Sequence, residues 1–198
     1  MTGSELSELS ELSEESEKLE NSENSEYSEC SENSEGWVNC VNFAFKTEDM
    51  EKIKIAIVNG ANLNLTGERF PEIYGKESFG DYLEQMKGEH PEFEILYSQS
   101  NSEGEIIDTL QRLRADSGIA GIIINPGAYA HYSYAIADAL ADISKPKVEV
   151  HLSNIMSREA HRRVSVTAAH CDALIAGAGI NGYTLAAMLI QEKCLIKK

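Results

Sequence analysis

The sequence predicts an α/β domain: a doubly wound, five-stranded parallel sheet in three αβα layers, behind a disordered N-terminal tail. Two observations predict the sheet. From Ile53 onward, apolar segments of strand length alternate with helical patterns. The third of these segments, AGIIIN, is apolar almost throughout, as a strand covered on both faces is. A third observation, a Ser-Glu repeat from Ser4 to Glu35, predicts the tail.

The tail comes first in the chain. Ser-Glu-x recurs every three residues and slips only at Leu19. A period of three drifts around a 3.6-residue helix, so Leu6, Leu9 and Leu12 cannot hold one face. With little apolar surface and a high charge, the tract cannot offset its ordering entropy. Residues 1–36 are therefore expected to be disordered, with an interaction tail or a phosphorylated array as the functional alternative. Residues 37–51 read as a connector, and 52–198 as the folded domain. The charge is divided in the same way. Of the formal −16, residues 1–36 supply −11 from twelve Glu and one Lys, and the rest supplies −5 from 21 acidic and 16 basic residues. So mild a charge on the domain argues for no nucleic-acid surface.

The strands are expected at 53–58, 93–98, 120–125, 147–152 and 172–177. Helical patterns lie near 77–88, 103–114, 131–143 and 181–193, and Ser102 with Glu105 predicts a capping box. Right-handed crossovers make such a sheet doubly wound. Cys30, Cys40, Cys171 and Cys194 lack CxxC spacing, so reduced thiols are expected rather than a zinc site or a redox pair. No apolar run reaches the ~18 residues that span a bilayer, and no leader pattern opens the chain, so a cytoplasmic protein without a membrane partner is expected.

Ligands of doubly wound sheets bind beyond the carboxyl ends of the strands. Three strand-end loops hold the densest polar chemistry. The first, NGANLNLTGERFPEIYG (59–75), carries Asn62, Arg69 and Tyr74 but no phosphate-binding glycine pattern. The second, NPGAYAHYS, carries Asn125 and His131, with Asp138 in the next helix. The third runs from EVHLSN to SREAHRR, with His151, Leu152, Ser153, Arg158 and Arg162. No Cys stands in these loops and no GxSxG elbow surrounds Ser153, which argues against nucleophilic hydrolysis. His131 and His151 lack a third His, so no metal is expected.

What remains is proton transfer. An Arg beside Tyr74 favours phenolate and makes a base. A strand-end His donates a proton, and Glu149, two residues earlier on the same strand face, orients His151. Asn side chains and backbone amides hold an oxyanion or a carboxylate. Such a set suits elimination or isomerisation beside a carbonyl. Singly, each residue has a plain structural use: a Tyr before Gly packs a turn, a strand-end His fixes a loop, and Arg158, Arg162 and Arg163 solvate a helix face. The convergence of three loops is what argues for a site.

NGANLNLTGERFPEIYG, NPGAYAHYSYAIADAL, EVHLSN and REAHRR, in this order and spacing, resemble type II 3-dehydroquinate dehydratase over residues 53–193. The resemblance implies a flavodoxin-like fold, a homo-oligomer built as a dodecamer of trimers, and loss of water from 3-dehydroquinate to give 3-dehydroshikimate without metal or other cofactor. It implies Tyr74 as the base at C2, Arg69 as the residue that promotes the phenolate, and His151 as the acid at the C1 hydroxyl. It further implies Asn62 as a holder of water near the enolate oxygen, and Asn125, His131 and Arg162 as substrate contacts. Leu152 and Ser153 match the carboxylate site, Arg158 a loop Arg near it, and Asp138 a residue reaching a neighbouring subunit's site. The chain departs from the family pattern at Ala61, Thr66, Phe70, Ala137 and His161, none of which removes a catalytic type. Biosynthesis of aromatic amino acids and breakdown of quinate both use this reaction. A rival reading is a non-catalytic flavodoxin-like binding module. Decay of the pocket would have cost it one of Tyr74, Arg69 and His151, and all three are present.

Overall fold

A computed structural model describes residues 52–68 and 78–196. The tail expected at 1–36 and the connector expected at 37–51 lie outside the described residues.

Five strands form one parallel sheet: β1 (Ile53–Asn59), β2 (Phe93–Gln99), β3 (Gly121–Asn125), β4 (Lys147–His151) and β5 (Ala173–Ala176). Their order is β2-β1-β3-β4-β5, so the winding reverses between β1 and β3, and the strand ends Asn59 and Asn125 stand side by side there. Among the described residues four α-helices flank the sheet: α1 (Phe79–Glu89), α2 (Glu103–Ala115), α3 (Tyr134–Ala141) and α4 (Gly182–Ile196).

Alternation along the strands splits the core in two. Ile55, Ile57, Ile123, Val148 and Val150 pack against Phe79, Tyr82 and Met86 of α1 and Tyr183 and Ile190 of α4. Ala56, Val58, Ile122 and Ile124 pack against Ile106 and Leu110 of α2 and Ile136 and Leu140 of α3. β3 and β4 are buried at every position, including Lys147, Glu149 and His151. By the same alternation, Asn59 and Asn125 face the α4 side, while Glu149 and His151 face the α2/α3 side.

Most element ends shift by one to three residues from expectation, and two of them and one cap bear on the site. The helix expected from residue 131 starts at Tyr134, because Gly127–His131 forms a 3-10 turn and Ser133 caps α3 by accepting from Ile136 N at 3.0 Å. β4 stops at His151, leaving Leu152 in the turn. The capping box is half made. Ser102 Oγ accepts from Glu105 N at 3.5 Å, but Glu105 bonds Ser100 Oγ instead of the Ser102 amide, which donates to Ser100 at 2.9 Å.

Candidate active site

Beyond the carboxyl ends of β1, β3 and β4 lies a crevice of about 340 Å³. Asn62, Asn125, His131 and His151 line it, as do Leu152, Ser153, Arg158 and Arg162. Glu149 is fully buried behind His151. Asp138 is exposed on α3 and is not among the lining residues. Arg69 and Tyr74, expected to complete the site, lie outside the described residues.

The β1 and β3 loops interlock at their roots. Gly60 N donates to Asn125 O at 2.7 Å, and a Cβ on Gly60 would stand 2.2 Å from Pro126 O. Gly127, at φ 64°, leaves room for the Ala61 carbonyl that a side chain would strike. Asn62 is the one non-glycine residue with positive φ among the described residues, at 68°. Its amide donates to Asn101 Oδ1 at 2.8 Å, and Asn101 O in turn accepts from Tyr129 Oη at 2.8 Å. A left-handed Asn at a crevice wall is the kind of backbone strain that surrounding bonds must hold.

Tyr183 of α4 reaches under both strand ends. Its hydroxyl donates to Asn59 Oδ1 at 2.8 Å and accepts from Asn125 Nδ2 at 3.0 Å, while Asn125 Oδ1 accepts from Gly127 N at 3.2 Å. Burial pushes the Tyr183 phenol well above its ordinary value, so it stays a neutral donor.

At β4, His151 Nε2 lies 2.8 Å from Glu149 Oε1. A carboxylate only accepts, so Nε2 carries the proton and Nδ1 is the nitrogen left for a ligand. Ser165 Oγ donates to Glu149 Oε1 at 2.6 Å and Thr167 Oγ1 to Oε2 at 2.5 Å. His131 Nδ1 donates to Val164 O at 2.8 Å, and its ring stacks on His151 with centroids 6.0 Å apart. Arg158 Nη1 donates to Ser153 Oγ at 3.1 Å. Glu159 sits 3.9 Å from Arg158 and 3.7 Å from Arg162, and its own backbone amide together with those cations holds its carboxyl below the usual range. The β4 end thus sets Arg158, Arg162 and the Nδ1 atom of His151 along the crevice, which suits an anionic substrate and proton transfer through the ring.

Residues 53–191 match the family described as dehydroquinase class II. The chain belongs to the dehydroquinase class II family. Its relatives include the 3-dehydroquinate dehydratase of Lachnoclostridium phytofermentans, 52% identical over 136 residues that cover 68% of this chain and 93% of the relative. That of Thermotoga petrophila is 50% identical over 143 residues, 71% of this chain and 96% of the relative. Among solved structures, the type II dehydroquinase of Butyrivibrio crossotus superposes with a TM-score of 0.67 at 45% identity, covering 72% of this chain and 99% of that one. The Ser-Glu repeat lies outside the stretch that matches the dehydroquinases.

Sequence reasoning missed the residues that hold the lining ones. Asn101 stands two places past the end of β2, a strand end that the crevice rule also covers. Ser165 and Thr167 stand two apart in SVT, but the chain bends at Val166 and Thr167, so no strand alternation announces them. Tyr183 gives no local signal, since its partners lie 58 and 124 residues away.

Proposed function

We propose that this chain is a 3-dehydroquinate dehydratase, a hydro-lyase that converts 3-dehydroquinate to 3-dehydroshikimate by anti elimination. The observation that carries the reading is the buried Glu149–His151 pair at the head of a crevice lined by Arg158 and Arg162, in a chain of this family.

The ketone of 3-dehydroquinate acidifies the neighbouring C2 proton. Tyr74, as a phenolate promoted by Arg69, takes that proton and an enolate forms. A water held by Asn62 stabilises the enolate oxygen. The enolate then expels the C1 hydroxyl, which leaves as water with a proton from Nδ1 of His151 in its imidazolium form, and the neutral ring left behind keeps its Nε2 proton on Glu149. One proton is removed and one is delivered, so the net loss is a single water. Asn125, His131 and Arg162 contact the ring hydroxyls, and Ser153 with the Leu152 amide holds the carboxylate. The Arg158 bond to Ser153 supports that last role, because it brings a cation to the same hydroxyl. Asp138, exposed on α3, serves a neighbouring subunit's site in a dodecamer of trimers. The enzyme works in the cytoplasm, in chorismate and aromatic amino acid biosynthesis, with quinate breakdown as the other route that uses the reaction.

The test is the absorbance of the conjugated enone product after mixing purified protein with 3-dehydroquinate. Steady growth of that band is expected. A flat trace at micromolar enzyme would leave a non-catalytic binding module as the better reading.

A further inference from the structure

One irregular segment, residues 164–167, reaches both crevice histidines through different atoms. The Val164 carbonyl accepts from His131 Nδ1 at 2.8 Å. Val166 N donates to Ala130 O at 2.8 Å and docks the segment on the His131 turn. Ser165 and Thr167 each give a hydroxyl proton to Glu149, one to each carboxylate oxygen, at 2.6 and 2.5 Å. Ser165 has a single proton to give, and its 3.4 Å approach to Ala130 O is much the longer contact. Its oxygen is in turn fixed by the Ala168 amide at 3.1 Å.

The chemistry of the acceptors decides the rings. A carbonyl and a carboxylate cannot donate, so His131 is protonated on Nδ1 and His151 on Nε2. The two stacked rings therefore present opposite nitrogens, Nε2 of His131 and Nδ1 of His151. The second assignment holds only while Glu149 keeps its orientation. The carboxylate is fully buried, and so is Thr167. The two hydroxyls are what stop it turning.

We propose that Ser165 and Thr167 are positioning residues for His151. Through Glu149 they fix its tautomer and turn Nδ1 toward the crevice, while the same segment fixes His131 through the Val164 carbonyl. The kinetic consequence rests on the reading of His151 as the proton donor; the tautomer does not.

The decisive variants are Thr167→Val, which keeps the shape and removes the hydroxyl, and Thr167→Ser, which restores it. Ring nitrogen-15 shifts of His151 are read in ligand-free protein, at a pH where the ring is neutral. The parent and Thr167→Ser are expected to show the Nε2-protonated form alone, and Thr167→Val to gain a share of the Nδ1-protonated form. With 3-dehydroquinate, Thr167→Val is expected to lower kcat by ~10- to 100-fold, the usual size for a lost outer hydrogen bond. KM should stay within about threefold and Thr167→Ser should recover most of the rate, since only proton delivery is disturbed. Ring spectra of Thr167→Val indistinguishable from the parent would overturn the proposal, as would an unchanged kcat. If Thr167→Val does not fold, Ser165→Ala takes its place under the same criteria. A parent without turnover would defeat the dehydratase reading alone, and the ring spectra would still decide the positioning.

Discussion

The two ends of the crevice are held by different means. At β4, His151 is fixed by side-chain bonds among groups largely shut off from water: a fully buried carboxylate, its buried Thr167 and half-buried Ser165 donors, and the ring itself. At β1, Asn62 is fixed through its backbone, by a left-handed φ and a hydrogen bond from its backbone N–H to Asn101 Oδ1. The first arrangement suits a group that must keep one protonation pattern, because dry hydrogen bonds specify which atom bears the proton. The second suits a group that must keep one position, because backbone geometry places a side chain without using its polar atoms.

On this contrast, damage at β4 should appear in catalysis, and damage at β1 in placement. The largest effect is expected for His151→Ala. General acids contribute ~10² to 10⁴-fold, about 3 to 5 kcal/mol of barrier, so kcat should fall by at least that range while the thermal midpoint moves little. A smaller loss would mean that the clamped ring is not the donor. Next is Gly60→Ala. Its new methyl would meet the Pro126 carbonyl, and overpacking of this kind costs about 1 to 3 kcal/mol, read as a lowered denaturation midpoint. An unaltered midpoint would show that the interlocked loop roots yield freely.

Asn101→Leu removes the acceptor for the Asn62 amide and should cost about 1 kcal/mol, with kcat falling several-fold. Asn101→Asp keeps an acceptor oxygen and should recover most of that rate. Equal losses in both variants would break the link between Asn101 and Asn62. The smallest effect concerns Cys171, which lies against the Glu149 clamp. Burial, with the Glu149 charge behind it, pushes its thiol up to about 12. The thiolate is the reactive form, so alkylation at pH 8, read by peptide mass mapping, should be much slower at Cys171 than in the unfolded chain. The folded chain also keeps this proton where the unfolded one loses it. The contribution to stability is therefore full below the ordinary thiol value near 9 and declines as pH rises above it. Rapid labelling would mean that the β4 end is wet.

The sheet was legible because alternation and burial leave direct marks: IKIAIV, GIIIN and KVEVH carry their burial in their composition. The lining residues were legible because doubly wound sheets collect ligands at strand ends, and Asn62, Asn125, His131 and His151 all stand there. Glu149 was legible from a two-residue offset on one strand. The supports were not. Asn101, Ser165, Thr167 and Tyr183 act through contacts made across the fold, and nothing in their immediate neighbours distinguishes them from surface polar residues or from core. The start of α3 departs from its sequence pattern because a 3-10 turn has nearly the same short-range spacing as a helix.

Tyr183 has a consequence for how the molecule is made. It belongs to the last helix, yet it holds Asn59 at the end of the first strand, 124 residues earlier. Chains emerge from the ribosome amino end first, and a contact of that separation forms only when both partners are outside. The side-chain link between the ends of β1 and β3 therefore waits for α4. A nascent chain lacking it has two amides at the strand ends with no hydroxyl between them, so this part of the crevice floor is completed late.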